Sequence, residues 1–428
     1  MSKRSGLILF TLLAALFLIV NRGAYAGYFQ DDEIDNLSWA PYLSSLDFLK
    51  GALTPQFQPN NFRPVGHYYF HAAEKLFGLD FPKYVAIIHA IHLLNVWLLW
   101  LLARRLGAKP FAAGAACAFF AFHMALFDNF WKPMYVFDIL CAMFGLFSLL
   151  SYAHGRWVLS FAAFWLAYKS KELAVMLPVV LACYEIWFGQ RRWKPLAPFF
   201  LASLCFAIQG MVLNPNHDND YTFRFTIAAL AKTSVFYASR VFLIPYLGFV
   251  VPLFALVAPN RRTWFGLAMM GLFFFPMLFL PGRIFSAYCY VPFTGLTIAL
   301  TGVAESAAPP AMAAFLLLCL PMNLHELRLR RRDTLAKDDE ARAWMTTASR
   351  FVDTQPPVDA FIFSGAPAGF NRWGVEGALK YFFRRNDVVI LYIDEPAVSQ
   401  LLQTKRVALL TWDPSLKRLN IAIAKPGN

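Results

Sequence analysis

The sequence predicts an all-α polytopic membrane domain of about eleven crossing helices, followed by a small C-terminal α/β soluble domain. Three observations carry that expectation. Apolar residues make up 58% of the 428-residue chain and charged residues 15%, against about half and about a quarter in a soluble protein. The apolar residues fall into runs approaching the roughly 20 residues a helix needs to cross a bilayer. Beyond residue 325 the long runs stop and short apolar stretches alternate with polar ones.

The runs lie near 6–20, 85–103, 111–127, 134–152, 156–168, 173–188, 195–213, 240–258, 264–280, 288–304 and 309–324. The first, with Lys3 and Arg4 before it and Ala24-Tyr25-Ala26 after it, also fits a cleaved signal peptide; either reading delivers the next segment to the outside. The fifth run is short. Its boundary with the sixth is Lys169-Ser170-Lys171-Glu172, which is costly to hold in lipid.

The net charge of +13 gathers in short loops, at Arg104, Arg105 and Lys109, at Arg191, Arg192 and Lys194, and at Arg261 and Arg262. Positive short loops mark the cytoplasmic side, so the excess fits a membrane protein with no nucleic-acid partner. Alternating the spans puts residues 21–84 outside and divides the chain into a membrane domain, 1–325, with a long first external loop, and an extracytoplasmic domain, 326–428. Arg328, Arg330, Arg331 and Arg332 weigh against an external tail, but long hydrophilic domains cross largely regardless of charge. In the tail, a helix-like stretch over 325–355 precedes short apolar runs at 361–363, 388–391, 407–410 and 421–423, with a helical pattern at 373–385 between the first two. That alternation predicts α/β structure. The six cysteines sit in or beside apolar runs without metal-ligand or disulfide spacing.

Four places carry groups suited to chemistry. The loop 21–84 is too long for a connector and holds Asp31-Asp32-Glu33. Adjacent acids repel, so one is held protonated or all face a cation; a solvated acidic turn is the alternative. A carboxylate at a membrane surface can take a proton from an acceptor hydroxyl. The same loop carries Asn60-Asn61-Phe62-Arg63-Pro64, and Arg63 suits a phosphate or a salt bridge to a loop acid. The second place is Phe122-His123-Met124 with Asp128 five residues past the histidine. The third is Lys169-Ser170-Lys171-Glu172, where two ammonium groups suit a lipid phosphate and Glu172 can orient one of them. The fourth is Arg283 with Tyr288, Tyr290 and Pro292, an arginine and tyrosines fit for a phosphate or a sugar, or an aromatic belt. His89 and His92, at i and i+3, suit packing or a hydrogen bond better than a metal.

In order, these pieces resemble the C-type (GT-C) glycosyltransferase superfamily, and most nearly the membrane part of the TPR-containing O-mannosyltransferases and their bacterial relatives. The resemblance rests on Tyr28-Phe29-Gln30-Asp31-Asp32 with Asn36, Phe62-Arg63-Pro64, Phe77-Gly78-Leu79, Tyr84, the His92…Asn95 region, Phe122-His123 with Asp128, Ser170-Lys171-Glu172 with Pro178, and Arg283–Pro292. It covers roughly residues 25–300. Met124 replaces the usual proline, Asp128 a usual glutamate, and no TPR array follows. The resemblance implies a polyprenyl-phosphate-linked sugar donor and an inverting transfer to an acceptor hydroxyl of a protein, lipid or glycan. The reaction would take place on the outer face of the cytoplasmic (inner) membrane. It implies Asp32 as base, with Asp31 or Glu33 as near alternatives and Asp128 as a second acid. It implies Lys171, Lys169, Arg63 and Arg283 at the donor phosphate, and His123, Glu172, Tyr288 and Tyr290 at the substrate. Some members of the superfamily use a divalent ion, and carboxylate oxygens here would favour Mg, Mn or Ca. The alternative class is a transporter or flippase of lipid-linked sugars. It would favour charges near the bilayer midplane and internal repeats, and the sequence shows neither.

Cysteine labelling tests the predicted sides. A probe at Ser45 and a probe in the tail both label from outside; labelling of the tail from the cytoplasm alone contradicts the eleven-span arrangement.

Overall fold

The computed structural model describes residues 3–54, 63–213, 218–307, 309–354, 358–384 and 389–425. Asn60, Asn61, Phe62 and Val388 fall outside the described residues. The chain forms two compact units: Met1–Arg22, Ser45–Gly66 and Val85–Leu329 make the first, and Gly23–Ser44, His67–Tyr84 and Arg330–Asn428 the second. The long first loop is therefore shared. Its middle belongs with the membrane helices, and its two flanks belong with the tail.

The first unit is helical. Among the described residues five helices are long and apolar enough to cross a membrane, or six if the bent pair Pro110–Ala121 and Met124–Trp131 counts as one. They include Phe81–Arg105 and the start of the 46-residue helix Pro309–Thr354. Shorter apolar helices, including Ile8–Val20 and Lys194–Gln209, account for further predicted runs. The predicted run 240–258 is not one helix. The Ile227–Val241 helix ends there, Leu243 and Tyr246 take positive φ, and a separate short helix, Leu247–Val257, follows. Pro245 supplies the reason: it lacks an N–H and disfavours helical backbone at the residue before it.

Close packing in this unit uses small and hydroxyl side chains. A Cβ at Gly266 would collide with the Ala299 nitrogen, and one at Gly295 with the Met270 nitrogen. Helices Arg261–Phe274 and Tyr290–Ser306 thus touch backbone to backbone, as small residues permit in membranes. Helices Val136–Ala153 and Trp157–Ser170 are joined by Ser148 and Ser160, each hydroxyl donating to the other's carbonyl at 2.8 Å. Phe17 of the first helix is fully buried against the rings of His89, His92 and Phe130.

The second unit contains a four-stranded sheet in the order β2-β1-β3-β4, with β1 Ala360–Ser364, β2 Val389–Tyr392, β3 Val407–Asp413 and β4 Arg418–Ala424. β1 runs parallel to β2 and β3, and β4 closes as an antiparallel hairpin. These are the four predicted tail runs. Helix Arg372–Phe383 connects β1 to β2, the kind of crossover that parallel neighbours require. Helix Asp31–Trp39 of the first loop lies on it. Gly374 and Gly377 make that contact: a Cβ at Gly374 would sit 2.5 Å from an Asp31 carboxylate oxygen, and one at Gly377 3.0 Å from the Asp35 Cα.

The Asp35 carboxyl at this packed face is pushed up to about 6, first by burial and then by Asp32, with Lys380 opposing and Glu376 adding to the rise. A raised carboxyl means the folded state holds the proton better than the unfolded chain. The stability it contributes is therefore full below its ordinary value of 3.8 and is lost as pH rises through about 6. Asp35→Asn should stabilise the full-length protein by about 1–2 kcal/mol at pH 8, read as a higher Tm in detergent. The gain should vanish near pH 4; an equal Tm for both proteins at pH 8 contradicts this.

Candidate functional site

In the membrane unit, charged groups from four segments converge. The first turn of helix Val136–Ala153 supplies Phe137 and Asp138. The break after helix Trp157–Ser170 supplies Lys171 and Glu172. Pro178, second residue of helix Leu177–Trp187, cannot donate to the turn before it and crowds the carbonyl four residues back. The chain opens at Lys171 (φ −159°) and re-enters through the 3₁₀ turn Glu172–Met176, ahead of Pro178. Arg63 arrives from the first loop, just before helix Pro64–Phe77. Tyr288 sits in the 3₁₀ turn Ser286–Cys289, with Arg283 close before it.

Two ion pairs interlock here. The Lys171 ammonium lies 2.5 Å from the Asp138 carboxylate, with the side chains 7% and 2% exposed. The Arg63 Nε donates to both oxygens of Glu172, at 2.8 and 3.0 Å, with side chains 34% and 39% exposed. Because 137–138 and 171–172 are adjacent residues, the pairs bind the same two stretches of chain together: the Arg63 guanidinium also lies 5.7 Å from the Phe137 ring. Lys171 stands 4.1 Å from the centre of the Tyr288 ring, a cation–π contact. Arg283 donates to the Tyr288 hydroxyl at 3.2 Å and stacks over Tyr221 at 4.5 Å. The arrangement offers guanidinium and ammonium groups and a phenol in one place, with the Arg63–Glu172 half partly open to solvent. These are groups that hold a phosphate.

The structure thus gathers Arg63, Lys171, Glu172, Arg283 and Tyr288 from the predicted set, and adds Asp138. The available sign of Asp138 is that it is the lone acid in the run 134–152, and an ionisable residue in a membrane span calls for a partner.

Other expected site residues have different tasks. Lys169 is fully buried and donates to the Thr54 carbonyl, while Trp165 donates to the Ala52 carbonyl at 2.6 Å. Together they satisfy two carbonyls at the C-terminal end of helix Ser45–Leu53, so Lys169 anchors the loop. His123, expected at the substrate, is buried and hydrogen-bonded on both ring nitrogens. Its Nδ1 accepts from the Ala125 N–H at 3.1 Å, so Nε2 carries the proton and donates to the Val241 carbonyl at 2.9 Å. Tyr290, expected at the substrate, is fully buried with its hydroxyl bonded to His92 at 2.8 Å and Asn95 at 3.1 Å. Asp128 is buried 3.9 Å from the Lys132 ammonium.

In the second unit the three adjacent acids part company, as consecutive helical residues must at about 100° per residue. Glu33 accepts from the Gln30 N–H at 2.8 Å in a capping box and is buried, which makes it a structural group and not a base. Asp31 accepts from the Asn371 N–H at 2.6 Å, at the start of helix Arg372–Phe383, where negative charge is favoured. Asp32 accepts from the Trp373 indole at 2.9 Å. Among the described residues no group of three or more His, Cys, Asp or Glu could hold a metal ion.

Breaking the buried pair should cost stability: Asp138→Ala leaves the Lys171 charge buried and should lose about 3–5 kcal/mol. The double variant Asp138→Leu/Lys171→Met should recover most of it. Thermal unfolding in detergent measures both, and a double variant no better than the single contradicts the buried-pair account.

No protein-family model and no curated protein matches the sequence. The fold does match solved structures. ArnT from Cupriavidus metallidurans, in crystal structures bound to undecaprenyl phosphate and in the apo state, aligns with TM-scores of 0.59 and 0.60. Identity is 13% in each case, over 100% of this chain and 99% and 100% of theirs. The arabinofuranosyltransferase AftD from Mycobacteria, a single-particle cryo-EM structure, aligns with a TM-score of 0.53 and 16% identity. That match covers 87% of this chain and 30% of AftD. The likeness is one of fold alone. It does not single out the TPR-containing branch.

Proposed function

We propose that this multi-pass membrane protein is a glycosyltransferase that moves a sugar from a polyprenyl-phosphate donor to an acceptor hydroxyl of a protein, lipid or glycan. Its active side is the outer face of the cytoplasmic membrane. The observation that carries the reading is the cluster of Arg63, Lys171, Arg283 and Tyr288 within a fold shared with ArnT, whose structure holds undecaprenyl phosphate.

In this reading Arg63 and Lys171 bind the donor phosphate, and Arg283 with Tyr288 braces it. The acceptor oxygen forms a bond to the anomeric carbon as the bond from that carbon to the phosphate oxygen breaks. The lipid phosphate leaves with the bonding electron pair, the configuration inverts, and the acceptor proton passes to a carboxylate. Asp32 is assigned as that base, with Asp128 the second acid of the set. Support for Asp32 over its neighbours is local: Glu33 is spent in the capping box and Asp31 caps a helix start, whereas Asp32 is held by an exposed hydrogen bond from the Trp373 indole. A positioned base contributes on the order of 10²–10⁴-fold.

Two expectations separate binding from chemistry. Arg63→Gln and the neutral double variant Asp138→Leu/Lys171→Met should each weaken donor binding by roughly 10–100-fold, as the loss of a charge-assisted hydrogen bond implies. Unchanged donor affinity in both removes the cluster from the donor site. Asp32→Asn should lower turnover on the order of 10²-fold or more with donor affinity retained; normal turnover moves the base to another acid.

A further inference from the structure

Two of the three cations offered to the donor phosphate already carry a carboxylate of their own. Lys171 is bound to Asp138 and Arg63 to Glu172. The Lys171–Asp138 contact sums to no net charge whether its shared proton sits on nitrogen or oxygen. The Arg63–Glu172 contact is likewise neutral, since a guanidinium does not give up its proton. A site built only to maximise phosphate affinity would leave out both acids. With them in place, the first negative charge of an incoming phosphate is met by hydrogen bonds from the cations, while a second meets the carboxylates of Glu172 and Asp138 at close range.

That asymmetry matters for the reaction proposed above. The donor is a phosphodiester and carries one negative charge. The product is a phosphomonoester, whose second ionisation lies near pH 6, so that it approaches two charges at pH 8. We infer that Glu172 and Asp138 set the charge selectivity of this site, so that it favours the singly charged phosphodiester of the donor over the doubly charged phosphomonoester of the product and thereby promotes product release. Glu172 carries the larger share, because its pair is partly exposed and faces an entering headgroup more openly than the buried Asp138. Both residues act through the charge around the cations and are specificity-determining, not reacting, groups.

The inference rests on the phosphate-site reading, and one experiment separates the two. Binding of farnesyl phosphate, a monoester, and of its methyl ester, a diester, is measured on the full-length protein in detergent at pH 8. Wild type should bind the diester at least as tightly as the monoester. Glu172→Gln should shift the preference toward the monoester by about tenfold, the effect of removing one charge a few ångströms away in a half-exposed site. Asp138→Asn should shift it in the same direction, and Glu172→Gln alone decides the matter if Asp138→Asn does not fold. In turnover assays the same variants should show stronger product inhibition. Binding of both esters with no change of preference in Glu172→Gln overturns the inference and leaves the phosphate site standing. Failure of wild type to bind either ester overturns both.

Discussion

Within a bundle of membrane-crossing helices, a lone carboxylate or ammonium is costly to keep, and each becomes tolerable by neutralising the other. The contact of Asp138 with Lys171 does this, and the local architecture of the first unit depends on it. Lys171 can end a helix in a buried position because Asp138 receives its charge. After the interruption Glu172 pairs with Arg63. Tyr288 completes the arrangement by laying its ring under the ammonium while its hydroxyl takes the Arg283 hydrogen bond. The boundary between two helices is set at one point, and the groups that set it are those suited to a lipid phosphate.

The second unit solves a different problem. A loop of acids would fray by self-repulsion, yet here each acid has a distinct partner: a capping amide for Glu33, a helix start for Asp31 and an indole for Asp32. The glycines at 374 and 377 let the loop helix approach the tail helix closely enough for those contacts to form. The flanks of the first loop and the tail thus fold as one compact unit although residues 85–329 separate them in sequence.

The legible parts of this molecule are those written locally. Runs of about 20 apolar residues announce membrane helices without reference to anything else, and four short apolar runs announce the four strands of the tail. The phosphate-suited residues Arg63, Lys171, Glu172, Arg283 and Tyr288 can be singled out because charges are conspicuous beside apolar runs. The parts that escape are written in contacts. Asp138 looks like part of a span, since its partner lies 33 residues away. Lys169 and Lys171 are alike in sequence, and only packing sends one to a backbone carbonyl and the other to a carboxylate. His123 and Tyr290 are attractive as polar groups among aromatic ones, but buried polar atoms need hydrogen bonds of their own, and these two residues make theirs inside the helix bundle. The apolar run at 240–258 reads as a single helix by hydropathy although Pro245 stands in it. No local pattern joins 23–44 to the tail.

Transfer and transport predict different fates for one molecule. The purified protein is reconstituted in liposomes with a polyprenyl-phosphate sugar carrying label in both the lipid and the sugar, from a panel of sugars and with an acceptor fraction supplied. Transferase action predicts polyprenyl phosphate freed of its sugar, in step with label appearing in a new glycosidic linkage, and loss of both in Asp32→Asn. Recovery of the donor intact in the opposite leaflet, with no free polyprenyl phosphate, would contradict the account and mark the protein as a carrier of lipid-linked sugars.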